Sequence, residues 1–266
     1  AMDGAMVQHL RCSTVHTGEV MAIPVHGGVE RFAGGQMATA HQAPLLQPLP
    51  SAAKLQTMTL AATYYGANGW LLEFNNLRVL VDPWLRGSLS FPTGSWLLKG
   101  DLPHKRPAPG TLDLLLLTQG LADHSHPESL DLLPRDLPVI GSTSAARVVR
   151  SLGFQTITSL KPGETTNHQG LTVRATAGAP VPMVENGYLL EHEAGQLYLE
   201  PHGFLDPNLP EQPLDAVITP MVDLGLPALG AFVKGCSVAP ELVQRFQPTT
   251  MLASTSGGDV RFSGAL

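Results

Sequence analysis

Asp123, His124 and His126 fall within the stretch TQGLADHSHPESL, straight after the apolar run LDLLLL. Imidazole nitrogens and carboxylate oxygens are the donors that zinc, iron and manganese accept. A metal needs three or four of them converging, so one turn is not enough and a second loop must contribute. Glu200 and His202, in LYLEPHG, end a different apolar run, and Asp82, in VLVDPW, ends a third. Ligands of α/β proteins gather outside strand ends, so three polar strand ends on one rim would make one site. Each piece also has a plainer reading. Asp123 or Ser125 suits a helix cap with solvated histidines beside it, the Glu-Pro-His stretch suits a turn, and Asp82 before Pro83 suits a turn former.

Other chemistries find less support. A serine nucleophile needs a G-x-S-x-G elbow, and IGSTSAA lacks the second glycine. GLPALGAFVKG lacks the Lys-Ser/Thr ending of a phosphate-binding loop. The 266 residues carry a net charge of -6 and no basic stripe, which argues against a nucleic-acid surface. Only 14% of the residues are charged, so much of the chain must be buried. Cys12 and Cys236 are too few and too far apart for a disulfide framework or a thiolate zinc site, which fits a soluble protein of a reducing, intracellular compartment. No apolar run reaches the ~18 residues of a membrane-spanning helix.

The elements that must position these residues begin near Thr57. MTLAATYYG reads as a strand, and GWLLEF, NN and LRVLVDP as a hairpin ended by Pro83. Residues 85 to 110, rich in Gly, Pro and Ser, read as a long loop. LDLLLLTQ, PVIGST and QTITSLK then alternate with a short helix in HPESLDLLP and a helix in AARVVRSLG, capped by Ser144 and closed by Gly153. This β-α-β-α-β order predicts an α/β domain. ETTNHQGLTVRATAG and NGYLLEHEAGQLYLEPHG read as antiparallel hairpins, followed by the strand DAVITP, the helix APELVQRFQ and the strand TMLAST. Residues 1–56 form an extension, flexible or targeting, and 57–266 one domain.

The pieces GWLLEFNNLRVLVDPW, LDLLLLTQGLADHSHPESL, VRATAG, NGYLLE, LYLEPHG, LDAVITP and TMLAST, in this order, resemble the metallo-β-lactamase fold superfamily over about residues 57 to 258. Within it the chain is similar to the metal-dependent hydrolase-like proteins of plants and cyanobacteria, which implies a chloroplast location. The resemblance implies an α/β, four-layer αββα sandwich of two similar halves, here shortened at its C-terminal end. The family signature H-x-H-x-D-H serves two metals, and its four positions read Gln119, Leu121, Asp123 and His124. The next family histidine falls at Gly178, the bridging aspartate at His202 with Glu200 beside it, and the last histidine at Ser254 to Ser256. An ordinary dinuclear zinc site is therefore not expected.

Two functions follow. In the first, a divergent hydrolase holds a single zinc, iron or manganese ion on Asp123, His124, His126 and His202. Asp123 and Glu200 then take catalytic roles against a small-molecule substrate, and Asp82 fixes a histidine tautomer. In the second, the fold persists as a catalytically inactive binding or scaffolding protein. It would use Trp84 and Trp96 on the long loop to hold an apolar ligand or a protein partner.

Overall fold

The computed structural model describes residues 11–13, 20–25, 59–90, 99–180, 185–226, 230–255 and 260–263. In chain order the elements of its first half are β1 (Arg11–Ser13), β2 (Val20–Ile23), β3 (Leu60–Gly66), β4 (Gly69–Phe74), β5 (Leu77–Val81), β6 (Ser88–Ser90), β7 (Lys99–Asp101), β8 (Leu114–Leu117), α1 (Pro127–Leu130), β9 (Val139–Ser142), α2 (Thr143–Ser151) and β10 (Ile157–Leu160). The second half adds β11 (Thr165–His168), β12 (Leu171–Ala177), β13 (Asn186–His192), β14 (Gly195–Leu199), β15 (Ala216–Pro220), β16 (Asp223–Leu226), β17 (Gly230–Lys234), α3 (Gly235–Phe246), β18 (Thr250–Ser254) and β19 (Arg261–Ser263).

Two seven-stranded sheets carry the fold, ordered β10-β9-β8-β5-β4-β3-β2 and β1-β18-β15-β14-β13-β12-β11. Both are built alike. In the first, β2 to β5 form an antiparallel meander, and β8, β9 and β10 continue from β5 in parallel. In the second, β11 to β14 form the meander, and β15 and β18 continue from β14 in parallel.

The layering follows from which way the side chains point. In β8 the run is apolar throughout because both faces are covered. Leu114 and Leu116 join the core between the sheets, with Tyr64, Leu72, Val173, Tyr188, Leu197 and Ile218. Leu115 and Leu117 face the other way, onto Leu130 and Val149 of α1 and α2. On the far side, Tyr198, Val217 and Met251 pack against Leu242 and Phe246 of α3. Helix, sheet, sheet, helix is the four-layer metallo-β-lactamase-like sandwich, of mixed α/β class.

Several details depart from the sequence reading. Helix α2 is capped by Ser142, whose Oγ accepts from Ala145 N at 3.3 Å, and not by Ser144. The long loop contains β6 and β7, paired with each other. Trp84 is buried in a small core with Ala67 and Leu89, so it offers no surface to a ligand or partner. Trp96 lies outside the described residues. Two short pieces of the N-terminal segment pair with the sheets: β2 runs antiparallel to β3, and β1 parallel to β18. Among the described residues, no helix is long and apolar enough to cross a membrane.

Candidate metal centre

Polar side chains collect where β5, β8 and β14 end and β13 begins. Asp82 follows β5 with φ of 39°, a left-handed backbone that a short polar residue tolerates. It is wholly buried and held by the neighbouring strand end: Thr118 donates its backbone N–H to Asp82 Oδ1 at 2.9 Å and its hydroxyl to Oδ2. After Thr118 the chain tightens into a turn. His124 N and Ser125 N both reach Leu121 O, at 3.0 and 2.7 Å, and Ser125 Oγ donates to Gln119 O at 2.6 Å. That turn presents Asp123 and His124.

His124 is fully buried, and its Nδ1 lies 2.8 Å from Asp82 Oδ2. Its Nε2 lies 3.3 Å from Asp123 Oδ2 and 3.4 Å from Asn68 Nδ2, on the turn between β3 and β4. Asn68 is oriented in turn by Thr255, whose hydroxyl donates to Asn68 Oδ1 at 2.9 Å. The second histidine is arranged in the same way. Glu185, fully buried directly before β13, sets its Oε2 2.6 Å from His202 Nδ1. Its Oε1 lies 3.3 Å from the Thr118 hydroxyl and 3.6 Å from His124 Nδ1, so one carboxylate spans both rings. The two imidazoles tilt against each other with centroids 5.1 Å apart. Glu200 follows β14, and its Oε2 accepts the backbone N–H groups of His202 at 3.1 Å and Phe204 at 2.6 Å.

Two atoms in this cluster have no hydrogen-bond partner among the described residues: Asp123 Oδ1 and Glu200 Oε1. Burying a polar atom unpaired costs about 1–3 kcal/mol, which a metal ion or substrate atom would relieve. Two sets of donors stand close enough to converge on one ion. Asp123, His124 and His202 form one, and Glu185, Glu200 and His202 the other, with donor atoms within 4.8 Å of one another in each.

The electrostatics follow from burying so many acids together. Burial alone would pull His124 down, but the carboxylates of Asp123, Glu185 and Asp82 hold it well above the ordinary imidazole value. Burial would likewise lower His202, and Glu185 raises it. Asp82 is raised by burial despite the attraction of His124, whereas in Asp123 the two histidines outweigh burial and lower it. Burial, reinforced by the negative charge of Glu185, pushes Glu200 up to about 8.

Of the residues singled out from sequence, Asp82, Asp123, His124, Glu200 and His202 are brought together. His126 is not. Its Nδ1 lies 3.0 Å from Ser129 Oγ and its Nε2 3.4 Å from Ser88 O, so both nitrogens are engaged away from the cluster. At Gly178 a Cβ would stand 3.1 Å from both Glu185 O and Glu200 Oε1, so a side chain there would have to push these neighbours back by a few tenths of an ångström. The sequence reading missed Glu185, Thr118 and Asn68. Glu185 left one trace, as the sole acidic residue between Glu164 and Glu191, set in the apolar stretch APVPMVENGYLL.

Residues 61–254 match the family described as beta-lactamase superfamily domain. No curated protein matches the chain. Among solved structures, the isothiocyanate hydrolase from Delia radicum gut bacteria is 19% identical with a TM-score of 0.57, over 71% of this chain and 82% of that one. A possible metal-dependent hydrolase from Veillonella parvula is 16% identical with a TM-score of 0.55, over 74% and 85%. CmlA, a diiron β-hydroxylase from Streptomyces venezuelae, is 19% identical with a TM-score of 0.50, over 73% of this chain but only 44% of its own. At these identities the likeness is one of fold.

Proposed function

This chain belongs to the beta-lactamase superfamily domain family, and within it we propose a metal-dependent hydrolase whose site holds one ion on Asp123, His124 and His202. The observation that carries the reading is the matched pair of carboxylate–histidine contacts. Asp82 takes Nδ1–H of His124 and Glu185 takes Nδ1–H of His202. In each neutral ring the lone pair then stands at Nε2, and the carboxylate behind it strengthens that nitrogen as a ligand. Asp123 adds an oxygen with no other partner. Two imidazole nitrogens and a carboxylate suit zinc, iron or manganese.

Bound there, the ion would supply Lewis acidity, bringing the ionisation of water into the neutral range and polarising an electrophile. The rest falls to the chain. Thr118 and Asp82 lock His124, and Glu185 locks His202, so neither ring reorients during a turnover. Glu200 is pinned through Oε2, and in the metal-free chain its carboxyl is pushed up to about 8, chiefly by burial. Its unpartnered Oε1 is the atom through which it can exchange a proton with a leaving group or with water. A dinuclear site of the usual family kind is a poor fit. Neither Leu121 nor Gly178 carries a side-chain donor. His126 is not part of the ligand set in this reading, and the inactive-scaffold alternative loses support with the burial of Trp84.

The test is metal content. The chain, purified without a histidine tag, reloaded with zinc or manganese and dialysed, should carry about one ion by plasma mass spectrometry. A His124→Ala/His202→Ala variant should carry none. An unmodified chain that stays metal-free after reloading would sink the proposal.

A further inference from the structure

A cavity of about 270 Å3 lies beside the cluster, lined by Thr143, Ser144, Arg147, Leu160, Lys161 and Asn186. Two links tie it to the candidate centre. Asn186 follows Glu185 in the chain, and Gly120, next to Gln119, donates its N–H to Ser144 Oγ at 3.0 Å. Its charge is one-sided. Arg147 on α2 and Lys161 in the turn after β10 are both exposed, and neither side chain makes an ion pair or hydrogen bond among the described residues. No acidic side chain is among the lining residues, and α2 has none in its first turn. This helix of 9 residues brings its N-terminal end to the cavity through Thr143 and Ser144, adding partial positive charge.

Asn186 makes the cavity more specific than a positive patch. It is 1% exposed. Its amide hydrogens are spent on Leu160 O at 2.9 Å and Tyr188 Oη at 3.3 Å. Its carbonyl oxygen takes no hydrogen bond among the described residues, and it is the polar atom Asn186 has left for the cavity. An acceptor without a donor from the chain can take a hydrogen bond from a hydroxyl or amine on whatever fills the space. The volume lies below the ~300 Å3 at which drug-sized pockets begin, so the occupant is small.

We propose that this cavity is the oxyanion subsite of the substrate. Arg147 and Lys161 hold a carboxylate or phosphate group, and Asn186 Oδ1 accepts from a hydroxyl or amino group beside it. The substrate class is then a small anionic hydroxy or amino compound. Its placement against Asp123, His124 and His202 rests on the hydrolase reading above, whereas binding in the cavity does not.

Isothermal titration of the full chain at low salt tests this with inorganic phosphate, acetate and glycolate as probes, and metal content is measured on the same samples. Glycolate should bind several-fold more tightly than acetate, because it alone brings a hydroxyl to Asn186. The tighter of phosphate and glycolate names the oxyanion. Arg147→Ala/Lys161→Ala, two exposed positions, should lower affinity for both by about tenfold or more while the metal content stays unchanged. The His124→Ala/His202→Ala chain should still bind the probes, which separates the subsite from the metal reading. The subsite is overturned if no oxyanion binds, if removing both cations leaves affinity unchanged, or if binding vanishes only with the histidines, since the anion would then sit on the metal.

Discussion

Glu185 is the residue through which the two histidines feel each other. It stands 2.6 Å from His202 Nδ1 and 3.6 Å from His124 Nδ1, wholly buried. Glu185→Gln keeps its size but removes the charge that orients His202, and should weaken metal binding about 10–100-fold in competition with a chelator. Unchanged affinity would leave Glu185 a merely structural acid. His126→Ala makes the contrasting case. It should leave metal stoichiometry intact and cost about 1–3 kcal/mol in urea unfolding, since it strips Ser129 of a buried partner. The sequence made Asp82, Asp123, His124, Glu200 and His202 visible because each puts charge at the end of an apolar run. His126 stands apart from the cluster because nearness along a chain is not nearness in space. Its extended backbone, φ -66° and ψ 112°, turns the ring toward Ser88 and Ser129. Glu185 and Thr118 belong to no motif, and only the fold brings them to the rings.

Strand and helix ends decide how stiff this rim is. Ser142 caps α2 while Ser144, two residues on, accepts from Gly120 beside the metal-centre turn. Ser142→Ala should therefore lower stability by about 1 kcal/mol in thermal or chemical unfolding, with metal affinity little changed. Gly235 starts α3 against the end of β15, where a Cβ would collide with the backbone of Pro220. Gly235→Ala should cost about 1–3 kcal/mol or more by forcing that junction apart. A melting temperature equal to the parent's would show that the junction yields. The strands themselves were legible because their apolar runs are bounded by Gly, Pro and Asn. The cap was not, because Ser142 and Ser144 carry the same side chain and only the exit angle of β9 chooses between them.

At the scale of the whole molecule, the buried acids and histidines make stability depend on pH in a definite direction. In the metal-free chain Glu200 titrates near 8 rather than at its ordinary 4.5, so the folded state holds a proton that the unfolded chain has released. That contribution is complete below about 4.5 and is lost as pH rises through 8. His124, held well above its ordinary 6.5 by the surrounding carboxylates, adds a contribution of the same sign, lost as pH rises through its raised value. Metal-free protein should thus unfold at lower denaturant as pH climbs from about 6 to 9. Saturating metal should oppose the trend, because an ion displaces the imidazole proton. A metal-free profile that rises over this range would contradict the buried network. The sandwich as a whole was legible only through resemblance, because apolar alternation says which residues are inside and not which sheet they meet. Its two halves have similar topologies, each with a meander followed by parallel strands, with α1 and α2 on the outer face of the first and α3 on that of the second, yet neither owns the centre. Asp123 and His124 come from the turn after β8, in the half before Pro162; Glu185, Glu200 and His202 come from the half after it. An ion gripped from both sides is a clasp. Its removal by chelator should let the halves breathe apart, and protease should then cut the turn between β10 and β11 faster than in the metal-loaded chain.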